Sequence, residues 1–179
     1  MTAPPNSSTV PSVTADQTVS PVSQVRLRIA LSIIAGVEAW FGLGDFPGAF
    51  DLHDAPLSVA QFLINARLAI HPVFAVAAFV LAVAGRIRAA MIVLAAYILV
   101  QWLSELPSFA RFGIEWNWTP VGLSLFAQQA VFPVLAVAAI ILARCDRHLW
   151  LGALFVALPP ANEILGIAIF TIGILLYGF

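Results

Sequence analysis

The sequence predicts an all-α membrane protein, a polytopic bundle of five transmembrane helices. Of the 179 residues, 61% are hydrophobic and only 9% are charged, and the mean hydropathy is +0.99. A soluble domain carries about a quarter charged residues, so this chain has too few polar groups to cover its surface in water. Five separate segments have about the 20 apolar residues that a helix needs to cross a bilayer. The expected partner is therefore the lipid bilayer, and no basic patch interleaved with aromatic residues indicates nucleic acid.

The first 24 residues differ from the rest of the chain. They are rich in Pro, Ser and Thr, and they contain no basic residue and no apolar core. That composition is typical of neither a signal peptide nor a helix. We expect residues 1–24 to be a disordered cytoplasmic tail and residues 25–179 to form the transmembrane bundle.

Each predicted span is an apolar segment, and the last one is unusually long and contains two prolines. The segments lie at about 29–44, within 57–84, near 87–106, near 120–143 and within 149–178. The fifth would extend about 45 Å as a straight helix, and the pair Pro159–Pro160 interrupts it. A proline pair breaks or kinks a helix. Our first interpretation is one kinked, tilted span, and the alternative is a half-helix over 149–158 that turns back at the prolines.

The arginines predict how the bundle is oriented. Six of them lie in the N-terminal flank and in the second and fourth connections, namely Arg26, Arg28, Arg86, Arg88, Arg144 and Arg147. The opposite connections, 45–56 and 107–119, contain only Arg111 together with several acidic residues. Cytoplasmic loops accumulate arginine, so we predict a cytoplasmic N-terminus and a periplasmic C-terminus. All eight basic residues are arginine, as in GC-rich bacterial coding, which favours a bacterial inner membrane.

Polar side chains from four spans fall at one depth when residues are counted from the cytoplasmic ends. Arg67 lies at the outer edge of the second span, and His71 lies one turn deeper on the same helix face. Glu38 is the one carboxylate near the midplane. The candidate ligand-binding residues are therefore Glu38, Arg67, His71, Gln101, Glu105, Gln128, Asn162 and Glu163.

These residues predict an outward-facing polar pocket. A charged side chain at the centre of a membrane helix costs about 2.5–3.5 kcal/mol, so charged groups should face the bundle interior. Glu105 and Glu163 are the expected partners of Arg67 and His71. Glu38 would form the floor of the pocket, either protonated or reached by Arg67.

Simpler interpretations stand beside each of these assignments. Arg67 could anchor the helix in the headgroups, and His71 could bond to a carbonyl that Pro72 leaves unpaired. Glu105 could be a boundary residue, and Gln128 could join two helices.

The sequence assigns no catalytic residue, and it argues against integral haem b and gives no support for a metal site. Integral haem b needs two histidines at membrane depth, but His53 lies in an outer connection and His148 at the inner edge. No ExxH or similar local spacing predicts a metal site.

The segment HPVFAVAAFVLAVAGRIRAAMIVLAAYILVQ resembles the second and third helices of the DoxX-like family of small bacterial membrane proteins. The opening RLRIALSIIAGVEAWFGLGDFPG resembles that family's first helix, and the likeness covers residues 26–106. The family is built on four helices, and some members are linked to quinone-dependent oxidation of sulfur compounds. The resemblance implies a quinone as ligand. The fifth segment, with its proline pair, departs from the family pattern.

Three function classes follow from these observations. The first is an accessory or quinone-linked subunit of a membrane redox system, with other membrane subunits as partners. The second is a small proton-coupled transporter that uses Glu38 and Glu163. The third is a structural subunit whose polar residues only hold helices together.

Overall fold

A computed structural model describes residues 21–50, 58–113 and 117–178, with the side chains of Pro21 and Tyr177 left aside. Five helices long and apolar enough to cross a membrane account for most of these residues. They are α1 (Pro21–Asp45), α2 (Val59–Val83), α3 (Ile87–Phe112), α4 (Pro120–Cys145) and α5 (Leu149–Tyr177). A short 3₁₀ segment, Phe46–Phe50, continues α1. The predicted all-α bundle of five spans is confirmed.

Consecutive helices pack side by side, and α5 also contacts α1 and α3, so the bundle closes on itself. The turn between α2 and α3 is a Schellman motif. Gly85 adopts a positive φ of 78°, and the Arg86 N–H donates to the Leu81 carbonyl across the turn. Glycine meets no steric penalty in this conformation, which allows a very short connection.

Small side chains form the core of the bundle. The fully buried residues near the arginine-bearing ends are mostly alanine, including Ala35, Ala78, Ala82, Ala90, Ala95, Ala136, Ala139 and Ala143. Small residues let membrane helices approach closely, and this close packing stabilises helix pairs in lipid. Most of the large apolar side chains, apart from a few such as Leu27, Leu31 and Met91, lie on the outside of the bundle, where lipid would surround them.

Helix α1 already includes Pro21, so it takes in the last four residues of the predicted tail, and that boundary was placed too late. The Trp150 indole donates to the Ser23 hydroxyl at 2.9 Å, which holds this first turn against α5. Residues 1–20, on which the prediction of disorder chiefly rests, lie outside the described residues.

Helix α5 runs without interruption through Pro159 and Pro160, and both prolines are buried in the bundle. The predicted single fifth span is therefore confirmed, and the alternative of a half-helix that turns back at the prolines is wrong.

Helix α4 contains a π-helical segment, Ala127–Val131, between the α-helical segments Pro120–Phe126 and Phe132–Cys145. Pro133 explains it. Its ring lacks an N–H and clashes with the carbonyl four residues earlier, that of Gln129. The helix widens there, and the Phe132 N–H donates to the Ala127 carbonyl five residues back. The Gln129 carbonyl accepts a 2.9 Å hydrogen bond from the Trp102 indole of α3 instead.

Candidate functional site

The buried polar side chains lie in one half of the bundle. We call this the arginine-poor half. It contains the end of the bundle where α1, α3 and α5 finish and where α2 and α4 begin. In the described ranges, the buried polar or charged residues are Glu38, His71 and Ser104. The opposite, arginine-rich half contains the alanine core. Two neighbouring features make up the candidate site: a buried histidine–carboxylate cluster and a polar cavity.

The buried cluster joins α1 to α2. The His71 Nε2 atom lies 3.0 Å from the Glu38 Oε2 atom, and the two residues are only 2% and 4% exposed. When Glu38 is ionised, its carboxylate only accepts hydrogen bonds, and the imidazole N–H donates. The other ring nitrogen, Nδ1, faces the Asp45 Oδ2 atom at 3.6 Å, too far for a hydrogen bond. Nδ1 is buried and has no hydrogen-bond partner among the residues that the structure describes.

Glycine and an aromatic ring fix the position of this histidine. Glu38, Gly42 and Asp45 are spaced i, i+4 and i+7, so one face of α1 presents all three toward α2. A Cβ atom at Gly42 would lie 2.9 Å from the Pro72 nitrogen and 3.0 Å from the His71 Cγ atom. Only glycine leaves room for so close an approach. On the other side, the Tyr97 ring stacks on the imidazole, with centroids 4.1 Å apart and planes 13° apart.

An ion pair lies one helical turn from the histidine. The Arg67 Nη1 atom donates to the Glu105 Oε1 atom at 3.3 Å, and the two side chains are 20% and 36% exposed. The Arg67 Nε atom is buried and has no hydrogen-bond partner within the described part of the chain. This guanidinium therefore retains donor capacity beside the ion pair.

A cavity of about 190 Å³ opens next to this ion pair, between α2, α3, α4 and α5. Polar and apolar residues line it in equal numbers. The polar ones are Arg67, Gln101, Glu105, Gln128, Gln129 and Glu163, and the apolar ones are Ile98, Trp102, Phe109, Leu125, Phe132 and Pro159. The π-helical segment supplies Gln128 and Gln129, and the Trp102–Gln129 bond orients the indole. Pro133 thus shapes this wall of the cavity.

A second, larger groove lies between the start of α4 and the later half of α5. It has a volume of about 590 Å³, its lining is mostly apolar, and Leu125 lines both this groove and the cavity. Asn162 lies here, where its amide donates to the Ser124 hydroxyl at 2.8 Å. Glu163, the next residue, lines the cavity.

The structure brings together most of the residues that the sequence singled out. Five of the eight line the cavity: Arg67, Gln101, Glu105, Gln128 and Glu163. The expected contact between Arg67 and Glu105 is present. Of the two alternatives for Glu38, contact with Arg67 is wrong, because Glu38 pairs with His71. The expected pairing of His71 with Glu105 or Glu163 is also wrong, because its acidic partners among the described residues are Glu38 and Asp45.

Sequence reasoning missed Asp45, Tyr97 and Trp102 as members of the site. The i, i+4, i+7 spacing of Glu38, Gly42 and Asp45 was a usable signal, because a glycine between two acids on one face indicates close approach of another helix.

Glu163, which lines the cavity, lies within electrostatic range of both Glu38 and His71. No group of three His, Cys, Asp or Glu side chains suited to hold a metal ion occurs in residues 21–50, 58–113 and 117–178. Comparison of the chain with protein-family models, with curated proteins and with solved structures gave no significant match.

Proposed function

We propose that the cavity binds the head of a quinone and that the protein is a quinone-linked or accessory subunit of a bacterial membrane redox system. The pocket opens to the periplasmic side in this proposal. The six-to-one distribution of arginines supports that orientation, because arginine-rich connections remain in the cytoplasm.

The lining of the cavity is the observation that carries the proposal. A quinone head is a flat ring with apolar faces and two carbonyl oxygens that accept hydrogen bonds. Arg67, Gln101 and Gln128 offer side-chain donors. Trp102, Phe109 and Phe132 offer aromatic surface beside them. Sites for small molecules typically combine such an apolar wall with a few polar groups that orient the ligand.

The groove beside the cavity supports a ligand with a long apolar tail. It continues from the cavity at Leu125 and runs along the exposed apolar residues of α5, such as Leu165, Ile169 and Phe170. An isoprenoid chain could lie in this groove while the ring occupies the cavity. The likeness of residues 26–106 to DoxX-like proteins is consistent with the same ligand class.

Binding measurements in lipid nanodiscs test the proposal. The purified protein is titrated with a quinone that bears an isoprenoid tail. Gln101→Leu removes a donor from the cavity, whereas Gln61→Leu, in the first turn of α2 and outside the lining, is the matched control. Loss of one buried hydrogen bond costs about 1–2 kcal/mol, so Gln101→Leu should weaken binding about tenfold. Wild-type protein that binds no quinone would contradict the proposal.

Two glycines of α5 test where the tail lies. A Cβ atom at Gly166 or at Gly173 would meet no atom within 4 Å, so both positions have space for a larger side chain. Only Gly166 lines the groove. Gly166→Phe should weaken binding of the tailed quinone and leave a tail-less analogue unaffected, and Gly173→Phe should change neither. Equal effects of the two variants would place the tail elsewhere.

The buried Glu38–His71 pair favours a second candidate, a small proton-coupled transporter, because ionisable residues inside membrane helices often carry protons. Proton entry into vesicles under a potential imposed with valinomycin, abolished by Glu38→Gln, would support it. A purely structural subunit would show neither quinone binding nor proton entry.

A further inference from the structure

We propose that Asp45, His71 and Glu38 form a proton relay that leads from the arginine-poor surface into the interior of the bundle. This role goes beyond quinone binding and does not require that the cavity hold a quinone.

The three side chains are ordered from solvent to interior. The side chain of Asp45 is 53% exposed at the end of α1, whereas those of His71 and Glu38 are 3% and 6% exposed. Seven residues separate Asp45 from Glu38, which corresponds to a descent of about 10 Å along the helix. His71 lies between the two carboxylates, with one ring nitrogen facing each of them.

Imidazole suits this position because it can accept a proton on one nitrogen and release another from the second. Nδ1 takes the proton of the Asp45 carboxylic acid, which leaves Asp45 as a carboxylate. Nε2 then releases its own proton to the Glu38 carboxylate. One proton has moved from Asp45 to Glu38, and no electron is exchanged. The same two transfers in reverse empty Glu38.

The geometry of Nδ1 distinguishes a relay from a purely structural ion pair. Buried polar atoms normally have a hydrogen-bond partner, but Nδ1 is unpartnered within the described residues and stands 3.6 Å from a half-exposed carboxylate. A small movement of the Asp45 side chain would complete the bond. Stacking on Tyr97 and the close approach of α1 at Gly42 hold the imidazole in place while Asp45 moves.

The relay lies in the same half of the bundle as the cavity, and His71 is one helical turn from the cavity residue Arg67. Glu163, which lines the cavity, interacts electrostatically with Glu38 and His71. Other ionisable groups around the histidine are Arg67 on α2 and Tyr97 on α3. Tyr97 interacts electrostatically with Arg67 and with the acidic groups of the site, Glu38, Asp45 and Glu163. Glu38 thus ends the relay within the electrostatic range of the cavity residue Glu163.

Exchange of the His71 ring proton with water tests the relay directly. Protein labelled with ¹⁵N at histidine is placed in nanodiscs without quinone, and His71→Gln identifies the His71 resonance among those of the three histidines. Asp45→Asn should slow exchange of the ring N–H with water at least tenfold. Asp146→Asn, an exposed position at the opposite end of the bundle, is the matched control and should leave the rate unchanged.

A third variant separates the relay from a structural role of Asp45. Asp45→Glu restores a carboxylate on a longer stem and should return exchange to within a few-fold of the wild-type rate, even if Asp45→Asn is poorly folded. The relay is overturned if exchange of the wild-type ring proton is undetectable, if Asp45→Asn exchanges at the wild-type rate, or if Asp45→Glu exchanges as slowly as Asp45→Asn. None of these results depends on whether the protein binds a quinone.

Discussion

The arginine-rich and arginine-poor halves of the bundle are built from different side chains. In the arginine-rich half, alanines from neighbouring helices pack at full burial around Leu27, Leu31 and Met91. In the arginine-poor half, the buried residues include Glu38, His71 and Ser104, and a cavity separates the helices. Close packing of small residues holds one half together, and the other half contains the groups that can bind a ligand or carry a proton.

Prolines mark the boundary between the halves. Pro72, Pro133 and Pro159 lie about 15–18 Å from the arginine-rich ends of α2, α4 and α5, counted at 1.5 Å per residue. Each proline removes a helical hydrogen bond. At Pro133 the consequence is visible, because the Gln129 carbonyl bonds to Trp102 and the helix widens into the cavity wall. Helices that contain prolines can thus be tightly packed on one side of the proline and line a polar site on the other side.

The largest expected effect is at the buried pair. Removing one partner of a buried, hydrogen-bonded histidine–carboxylate pair leaves the other without its partner, and in a buried ion pair this costs about 3–5 kcal/mol. His71→Ala and Glu38→Ala should each lower the free energy of unfolding by about that amount, measured in mixed bicelles. Glu38→Leu combined with His71→Leu should cost less than either single change. If the free energies of unfolding of the single variants lie within 1 kcal/mol of the wild-type value, the buried pair does not stabilise the arginine-poor half as proposed.

Added methyl groups should affect the two halves differently. Gly42→Ala places a Cβ against the Pro72 nitrogen and the His71 ring, and Ala139→Leu overpacks the fully buried alanine core. Both should destabilise the protein by about 1–3 kcal/mol. Only Gly42→Ala should also shift the ¹⁵N resonances of His71. A comparable shift in Ala139→Leu would indicate that the halves are mechanically coupled.

The Arg67–Glu105 pair should contribute less than the buried pair, because its side chains are 20% and 36% exposed. A double-mutant cycle with Arg67→Gln and Glu105→Gln should give a coupling energy of about 1 kcal/mol, at the upper end for exposed pairs. Coupling near zero would indicate that Arg67 serves the ligand or the headgroups and not Glu105.

The smallest effect is expected at the arginine-rich end. Arg88 bonds Asp146 at 2.5 Å, but both side chains are about half exposed. Asp146→Asn also preserves a residue type that tolerates the positive φ of 55° at this position. The change should cost less than about 0.5 kcal/mol. A loss as large as that from Arg67→Gln would contradict the contrast between the two ends.

The sequence predicted the fold well, since a membrane span requires only length and low polarity. The ends of α2 and α4 and the start of α3 therefore agree with the apolar segments. Helix α3 continues to Phe112, six residues past the predicted end, because Pro107 lies inside the helix and does not end it. The start of α1 did not agree, because Pro21, Ser23 and Gln24 look like tail residues by composition. The bond between Ser23 and Trp150, 127 residues away in the chain, is a tertiary contact that local composition does not predict.

The site was only partly predictable, because counting residues gives depth and not direction. Depth placed Arg67 and Glu105 at one level, and they do form a pair. Counting by depth also gave Glu38 no partner near the midplane. It could not show that Glu38 lies on the face of α1 that contacts His71. The π-helical segment was missed because its cause, Pro133 acting on the carbonyl of Gln129, depends on a helix geometry that hydropathy does not report.

The central claim is that a quinone occupies the cavity of the arginine-poor half, and photolabelling tests it most directly. An azido-substituted quinone is irradiated with the wild-type protein in nanodiscs, and the labelled peptides are identified by mass spectrometry. Adducts should fall within 98–109 of α3 and 125–132 of α4, and an excess of the unmodified quinone should suppress them. Adducts in the alanine-packed half, or adducts that the excess quinone does not suppress, would contradict the claim.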